Sequence, residues 1–409
     1  MSTTNNTENE IKSWLEVILK NENVEDLSVS LEGNTDLGSG FNGDIYFVEV
    51  KGTTKEKVTR KYNLAVKCAK RSKAYRSKFP VNSVFLNEIY FYETIYPYFL
   101  QFQKEKGVSN PFDKLAKCYG TYISDDLEVI VFDNLKAKGY AMWHKKKPLT
   151  RQRVEMIIKE YGKFHAISIA IKDQQPEKFQ QLTEKCDDTL GKIFESTDLI
   201  TSQEELVDEI YELLQGELDE ALLLKWKTLK PEIRPFLKQF IEGLEGMNVV
   251  IHGDCWNNNF MHYHVDNQPP TFAILDWQMA KLCSPVTDLS YFLFGCLSEE
   301  DINDVDTILE LYYTTLRDHL RKLGSSVDQL YPYSQFLEEW KKYMKFGIIM
   351  TPVIHKFSLT DEEEVPDFVQ AVEEGFDFAK SLAVKIKDAD AFKRRMRYLI
   401  KYYVEHDFA

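Results

Sequence analysis

The chain has 409 residues, of which 44% are hydrophobic and 28% charged, so it can bury a sizeable core and is too long for one small domain. Its formal charge of -14 disfavours a general affinity for nucleic acid or an anionic membrane, because an acidic surface would repel both. The six cysteines are scattered without a C-x-x-C pair, as expected for reduced thiols in the cytosol.

The first ten residues, Met1 to Glu10, are rich in Thr, Asn and Glu. They lack the basic and apolar regions of a secretory signal. No later segment offers about 18 uninterrupted apolar residues, the length needed to span a membrane. The sequence therefore predicts a cytoplasmic protein that is neither secreted nor membrane-spanning.

The segment from about Leu27 to Leu135 is typical of β structure, with β-branched and aromatic residues in short runs. The predicted strands are 45–50, 63–69, 117–124 and 127–133. Between the second and third strands, apolar residues recur at helical spacing over 84–103. This pattern predicts a small, mainly antiparallel β lobe with one packing helix, which we place at residues 1–135.

Helical periodicity dominates after Pro148, except around the segment from Val249 to Asp276. Thr150 is a plausible N-cap for a helix over 151–171, and Ser202 with Glu205 forms a capping-box pattern at the start of a later helix. A larger, mainly helical lobe is therefore predicted for residues 136–409. The fold class is α+β with two lobes.

A glycine-rich segment in the β lobe has the pattern G-x-G-x-x-G, formed by Gly38, Gly40 and Gly43. A dinucleotide-binding fold needs a helix after these glycines, whereas a strand follows here. Glycines alone also make ordinary hairpin turns, but their position shortly before Lys67 favours a loop that covers a nucleotide.

Lys67 lies in the apolar run LAVKCA, where a buried ammonium group is costly unless an anion meets it. The A-V-K pattern is typical of the kinase strand whose lysine reaches the nucleotide phosphates. Glu88, on the following helix, is the predicted partner of this lysine, with Glu93 as the alternative. Backbone groups around Asp133 and Leu135 would form the hinge and bind the adenine edge.

The strongest chemical signal is the segment 249–261, VVIHGDCWNNNFM, in which a strand leads into Asp254 and Asn259 follows five positions later. A second strand-like run, 271–280, carries Asp276. A single aspartate at a strand end can be a simple cap, but two in this order indicate phosphoryl transfer. Asp254 suits the proton of an acceptor hydroxyl, and Asn259 and Asp276 suit Mg²⁺.

Three histidines could suggest other chemistry. His252, before Gly-Asp, is expected to order the loop through hydrogen bonds rather than to move a proton. His262 and His264 alternate along a strand, but two histidines without a third ligand are more often surface residues. We therefore predict no zinc site.

These motifs carry a family resemblance. The loop H-G-D, in place of the H-R-D of protein kinases, and Asp-Trp in place of Asp-Phe-Gly resemble the aminoglycoside and choline kinase group. HGDCWNNNFM, ILDWQ, SPVTDLSYFLF and KFHAIS are more closely similar to the insect ecdysteroid kinase-like family, whose domain is called CHK kinase-like.

The resemblance implies a protein-kinase-like fold and ATP-dependent phosphorylation of a hydroxyl group, with ecdysteroids as the named acceptors and hydroxylated xenobiotics as suspected ones. It gives the motif residues the same roles as the chemistry above. It also implies that Asp288 ties a helix to the catalytic loop, although a plain N-cap explains Asp288 equally well.

Three other functions stay open. The first is a kinase of another small alcohol, such as choline or an aminoglycoside, and the second is a catalytically silent pseudokinase that binds a ligand. A protein kinase is least favoured, because Gly follows His252 and no A-P-E-like segment follows Asp276. Acceptor specificity is expected from the insertion at about 173–247 and the helices at about 299–405.

Overall fold

The computed structural model of the protein describes residues 2–34, 43–264, 270–361, 367–375 and 388–406. Two of the predicted nucleotide-loop glycines, Gly38 and Gly40, lie outside these residues. The third, Gly43, begins a described strand.

The first lobe is built on a five-stranded antiparallel sheet with the strand order β1-β2-β3-β5-β4. Its strands are β1 Val24–Asn34, β2 Gly43–Thr54, β3 Thr59–Ala69, β4 Cys118–Ser124 and β5 Leu127–Asp133. All four predicted strands are present. The sheet is buried on both faces, since Val129 and Val131 of β5 belong to one core and Ile130 to the other.

A helix that the sequence did not predict covers one face of this sheet. Helix α1, Ser2–Ile18, buries Ile11, Trp14 and Leu15 against β-strand residues. The prediction of one packing helix is therefore incomplete, because the sheet has a helix on each face. The polar start of this segment hides a narrow apolar stripe that appears only from Ile11 onward.

The predicted packing helix over 84–103 is present on the other face. The helix α3, Val81–Tyr90, continues through a π-helical turn, Phe91–Ile95, into α4, Tyr96–Glu105. Pro97 offers no N–H and its ring would crowd the carbonyl of Glu93, so a wider turn at this point relieves both problems. A short helix, α2 Lys73–Lys78, lies between β3 and α3.

The second lobe is mainly helical, as predicted. In the part of the chain that the structure describes, its helices are α5 Arg151–Gln174, α6 Pro176–Thr183, α7 Thr189–Ser196, α8 Leu199–Leu214, α9 Glu220–Lys227, α10 Lys230–Glu242, α11 Pro285–Cys296, α12 Glu299–Ile302, α13 Val305–Lys322, α14 Val327–Leu330, α15 Tyr333–Tyr343, α16 Lys345–Leu359, α17 Phe368–Glu373 and a last helix, Ala389–His406. The two-lobed α+β architecture is thus confirmed.

Short strands in the helical lobe frame the predicted chemical segments. They are β6 Ala141–Met142, β7 Val249–Ile251, β8 Phe260–Tyr263, β9 Thr271–Ile274 and β10 Lys281–Cys283. β7 pairs with β10, and β8 pairs with both β6 and β9, all antiparallel. These pairings place the segments after β7 and β9 side by side.

Two predicted helix starts have different outcomes. Helix α5 begins directly after Thr150, as predicted. The capping box at Ser202 is wrong, because α8 begins at Leu199 and the Ser202 amide donates to the carbonyl of Asp198 at 3.0 Å inside the helix. Asp198 takes the N-cap position instead, although its side chain makes no capping hydrogen bond.

All six cysteines are free thiols, four of them buried. None of the described helices combines the length and the low charge content that crossing a membrane requires.

The contribution of α1 to stability can be measured with one substitution. Leu15→Ala should lower the free energy of unfolding by about 2 to 5 kcal/mol, because the side chain is fully buried between α1 and the sheet. The matched control is Val17→Ala, on the exposed side of the same helix, which should change it by less than about 0.5 kcal/mol. Equal effects in chemical unfolding would contradict the docking of α1.

Candidate active site

The two lobes meet at an ion cluster centred on Lys67. The ammonium group of Lys67, on β3, lies 2.6 Å from a carboxylate oxygen of Glu88 on α3 and 2.7 Å from one of Asp276, which follows β9. The structure thus brings together three of the predicted site residues. It also separates the two candidates for the lysine partner, since the exposed Glu93 accepts a hydrogen bond from Thr121 instead.

The charges in this cluster depend on one another. Burial alone would lower the pKa of Lys67, but Asp276 and Glu88 outweigh it and the pKa is raised, so the ammonium form is stable. Burial raises the pKa of Glu88, against the opposing effect of Lys67. Each member would be costly to bury alone, so removing any one of the three side chains would destabilise the other two.

Asp276 occupies an unusual backbone conformation, with φ of 64°. Residues other than glycine rarely adopt this left-handed region, although aspartate tolerates it better than most. The neighbouring Trp277 holds the segment in place, because its fully buried ring stacks on Phe91 at a centroid distance of 4.1 Å. Strain of this kind is concentrated at functional sites.

Asn87 fastens α3 to the same segment. Its side-chain amide donates to the carbonyls of Gln278 at 3.0 Å and Ala280 at 2.8 Å, and its oxygen accepts from the amide of Asp187 at 3.0 Å. The amide of Trp277 also donates to Glu88, at 3.3 Å. The helix that carries Glu88 is therefore held against the segment that carries Asp276.

Asp254 and Asn259 form the second half of the site. The side-chain nitrogen of Asn259 donates to both the backbone carbonyl and the carboxylate of Asp254, each at 2.8 Å. Because both partners are acceptors, the amide must turn its NH₂ group toward them, which leaves its oxygen free to bind a cation. The other carboxylate oxygen of Asp254 accepts a bond from the Tyr291 hydroxyl at 2.9 Å.

The environment of Asp254 favours proton acceptance. Burial raises the pKa of this carboxyl group, and the nearby negative charge of Asp276 raises it further. A carboxylate with a raised pKa is a stronger base than an exposed one, as general base catalysis requires.

The loop that carries Asp254 is anchored by Asp288, in the first turn of α11. Its two carboxylate oxygens accept bonds from the amides of His252 at 2.7 Å and Gly253 at 2.8 Å. One of them also lies 3.2 Å from a ring nitrogen of His165. Burial would raise the pKa of Asp288, but the bond from His165 and its neighbours lower it, so the carboxylate stays ionised.

Gly253 is required by the geometry of this loop. Its φ is 82°, and a Cβ atom at this position would lie 2.4 Å from the carbonyl oxygen of Met279. An arginine, as in the H-R-D loop of protein kinases, would not fit here. The H-G-D pattern is thus a consequence of the close approach of two chain segments.

Of the other residues predicted to bind the nucleotide, the structure describes Gly43, Asp133 and Leu135. A Cβ atom on Gly43 would lie 2.6 Å from the carbonyl oxygen of Cys68, so glycine lets β2 start close to the end of β3. In the hinge, Asp133 ends β5 and its side chain accepts a bond from Lys138 at 2.6 Å. The amide of Asn134 donates to Asn63 at 2.9 Å, and the carbonyl of Leu135 accepts two backbone bonds. Adenine binding there stays a prediction.

His252 and His262 can be compared with their predicted roles. One ring nitrogen of His252 bonds the carbonyl of Leu275 at 2.8 Å, and the other accepts a bond from the Asp254 amide at 3.2 Å. This agrees with the predicted ordering role. The expectation of a surface position is wrong for His262, which is buried and has its pKa lowered to about 4 by burial and by Arg153.

Sequence reasoning missed two residues of the site, Asn87 and Tyr291. Each had a weak signal, because Asn87 is a polar residue directly before Glu88 in an apolar helix, and Tyr291 lies three positions, or one helical turn, after Asp288. Neither signal identifies a partner, since the bonded atoms are 191 and 37 positions away along the chain.

The β lobe, the Lys67–Glu88 pair and the helical lobe with its paired loops together make a protein-kinase-like fold. The sequence matches the ecdysteroid kinase-like family over residues 38–325, and the chain belongs to this family of small-molecule kinase-like proteins. No curated protein matches the chain.

Solved structures of kinases are similar to the chain at low identity. The GDP complex of an aminoglycoside 2'-phosphotransferase of type IIIa has 12% identity and a TM-score of 0.40, with 97% of this chain and 99% of that chain covered. A microcompartment-associated aminopropanol kinase has 11% identity, a TM-score of 0.41 and coverages of 96% and 97%. A Plasmodium vivax ethanolamine kinase has 12% identity, a TM-score of 0.34 and coverages of 92% and 81%.

The donor set of the site fits a cation that a nucleotide brings. Among the described residues, no three or more His, Cys, Asp or Glu side chains group together in a way that could hold a metal ion. Mg²⁺ at nucleotide sites is commonly bound by one or two carboxylates together with phosphates and waters. Asp276, with 29% of its side chain exposed, and the oriented amide of Asn259 meet that requirement.

The support that Asp288 gives to the loop can be tested directly. Asp288→Asn turns an NH₂ group toward one of two backbone amides, so a buried donor loses its acceptor. We expect the free energy of unfolding to fall by about 3 to 5 kcal/mol, as for other broken buried ionic networks.

The matched control is Asp304→Asn, since Asp304 pairs with Arg151 at the surface with half of its side chain exposed. That variant should lose less than about 1 kcal/mol in urea unfolding. Equal losses in the two variants would contradict the role of Asp288.

Proposed function

We propose that the protein is an ATP-dependent kinase that transfers the γ-phosphate to a hydroxyl group of an ecdysteroid or a hydroxylated xenobiotic, with Mg²⁺ as the cofactor. The observation that carries this proposal is the convergence at the lobe junction. Lys67, Glu88 and Asp276 lie within hydrogen-bonding distance there, and Asp276 is close enough to raise the pKa of Asp254, which is bonded to Asn259. This set supplies each group that phosphoryl transfer to an alcohol needs.

Each residue has one task in this proposal. Lys67, kept in place by Glu88, binds the phosphates, and Asn259 and Asp276 hold Mg²⁺, which neutralises phosphate charge when bound. Asp254 accepts the hydrogen of the acceptor hydroxyl and directs that oxygen toward the γ-phosphorus. The glycines of the 38–43 segment and the hinge at 133–135 would enclose the nucleotide. We also propose that the boundary between the two lobes lies at residue 135.

The family assignment supports a steroid or a related hydroxylated molecule as acceptor. Kinases of choline-like or aminoglycoside-like alcohols would share every nucleotide-site residue named above, and they are therefore the main alternative. The pseudokinase alternative is disfavoured because the chain keeps all four residues that the reaction needs. Lys67 is hydrogen-bonded to Asp276, and Asn259 to Asp254. The proposed setting is the cytoplasm.

The first test measures ADP release from MgATP over a panel of ecdysteroids, hydroxylated plant metabolites, choline and an aminoglycoside. Turnover that depends on one acceptor class would identify the substrate. Asp254→Asn should lower this turnover by about 100- to 10,000-fold, because the variant lacks the base. Its affinity for MgADP in calorimetry should stay close to that of the natural protein.

The control for this variant is Asp318→Asn, a half-exposed aspartate of α13 that pairs with the neighbouring Arg317. It should leave turnover unchanged. MgADP binding without turnover on any acceptor would contradict the kinase proposal and support the pseudokinase alternative.

The metal role of Asp276 gives a separate prediction. Asp276→Asn should raise the Mg²⁺ concentration needed for half-maximal ADP binding by about tenfold or more, because a carboxylate ligand becomes a neutral amide. Calorimetric titration of ADP with and without Mg²⁺ measures this effect without any acceptor. An unchanged dependence on Mg²⁺ would show that Asp276 does not hold the ion.

A further inference from the structure

Tyr291 is a buried residue of α11 that bonds the proposed catalytic base. Its hydroxyl group donates to one carboxylate oxygen of Asp254 at 2.9 Å, while Asn259 donates to the other at 2.8 Å. A carboxylate held by one donor can still turn about its Cβ–Cγ bond. Donors on both oxygens, from two different chain segments, fix the plane of the group.

The position of Tyr291 follows from that of Asp288. The two residues lie three positions apart on α11 and therefore share one face of the helix. Asp288 binds the backbone amides of His252 and Gly253, and Tyr291 binds the side chain of the next residue, Asp254. One turn of helix thus fixes both the backbone of the loop and the orientation of its carboxylate.

The tyrosine is suited to act only as a donor. Burial and the nearby Asp254 raise its pKa well above that of a free phenol, so the hydroxyl group keeps its proton. The ring packs beside Phe346 of α16 at a centroid distance of 5.9 Å, and only 6% of the residue is exposed. A phenylalanine would therefore keep the packing and lose only the hydrogen bond.

We propose that Tyr291 is a positioning residue for phosphoryl transfer: it holds one oxygen of Asp254 while Asn259 holds the other, so that a free lone pair of the carboxylate meets the acceptor hydroxyl. This inference rests on the proposed function, since it assigns to Asp254 the role of base. Among the residues that the structure describes, the hydroxyl group of Tyr291 bonds Asp254 and not Lys67, Glu88 or Asp276, so nucleotide binding should not depend on it.

The test is Tyr291→Phe, measured with MgATP and the best acceptor from the panel. We expect kcat to fall about tenfold or more, as for the loss of a hydrogen bond to a charged group. The KM for ATP and the affinity for MgADP should be unchanged, because only the orientation of the base is affected. In the Asp254→Asn background, adding Tyr291→Phe should cause no further loss, since the two residues act as a unit.

The matched control is Tyr313→Phe, which removes another buried hydroxyl group, one that donates to the carbonyl of Tyr331 at 2.8 Å in the helical lobe. It should leave kcat unchanged. A loss of kcat in Tyr291→Phe that matches a loss of folded, MgADP-binding protein would overturn the inference, because it indicates a purely structural role. An unchanged kcat would also overturn it. So would a double variant whose loss of kcat equals the product of the losses in Tyr291→Phe and Asp254→Asn, because the two residues would then act independently.

Failure of the inference differs from failure of the proposed function. If the natural protein turns over no acceptor, the proposed function is wrong and the role of Tyr291 falls with it. If the natural protein is active and Tyr291→Phe behaves like Tyr313→Phe, only the role of Tyr291 is wrong.

Discussion

The site depends on one buried carboxylate, that of Asp288, which has only 1% of its surface exposed. An ionised group in such a position costs several kcal/mol unless donors surround it. Here the donors are the backbone amides of His252 and Gly253, in the loop that carries Asp254, and a ring nitrogen of His165 on α5. The loop cannot leave this position without leaving the charge unpaired. The helical lobe thus fixes the backbone conformation of the loop before any substrate arrives.

A second set of contacts fixes the β lobe relative to that loop. Asn87 and Glu88 of α3 both bond the segment after Asp276, and Trp277 fills the space beside Phe91. Helix α3, which carries Glu88, is therefore held by its own side chains and by the segment that follows Asp276. Lys67 already lies 2.6 Å from Glu88 in this structure, and preorganisation of this kind lowers the cost of orienting reacting groups.

The sequence was informative where a motif residue acts through its own chemistry, and uninformative where a residue acts through a distant partner. The strand pattern and the meeting of Lys67 with Glu88 and Asp276 could be predicted because runs of apolar residues and isolated charges are local signals. Asn87 could not, since its partners are carbonyls that only the fold brings near. Helix α1 was missed for a different reason, because its polar first turns outweigh an apolar stripe that needs the sheet to become buried.

Lys67 is shared by two carboxylates, and the structure distinguishes which of them would release it to phosphate oxygens. Glu88 is buried, with 1% of its side chain exposed, whereas 29% of that of Asp276 is exposed. Asp276 also has the strained φ of 64°. Separating Glu88 from its lysine would leave a buried charge unpaired, which costs more than freeing a carboxylate that a cation can bind. A polyphosphate approaching the site would meet two carboxyl groups, those of Glu88 and Asp276, beside a single ammonium group. Under the proposed function, Asp276 would therefore be the carboxylate that leaves Lys67 to hold an ion accompanying the nucleotide, which would supply positive charge against the phosphates.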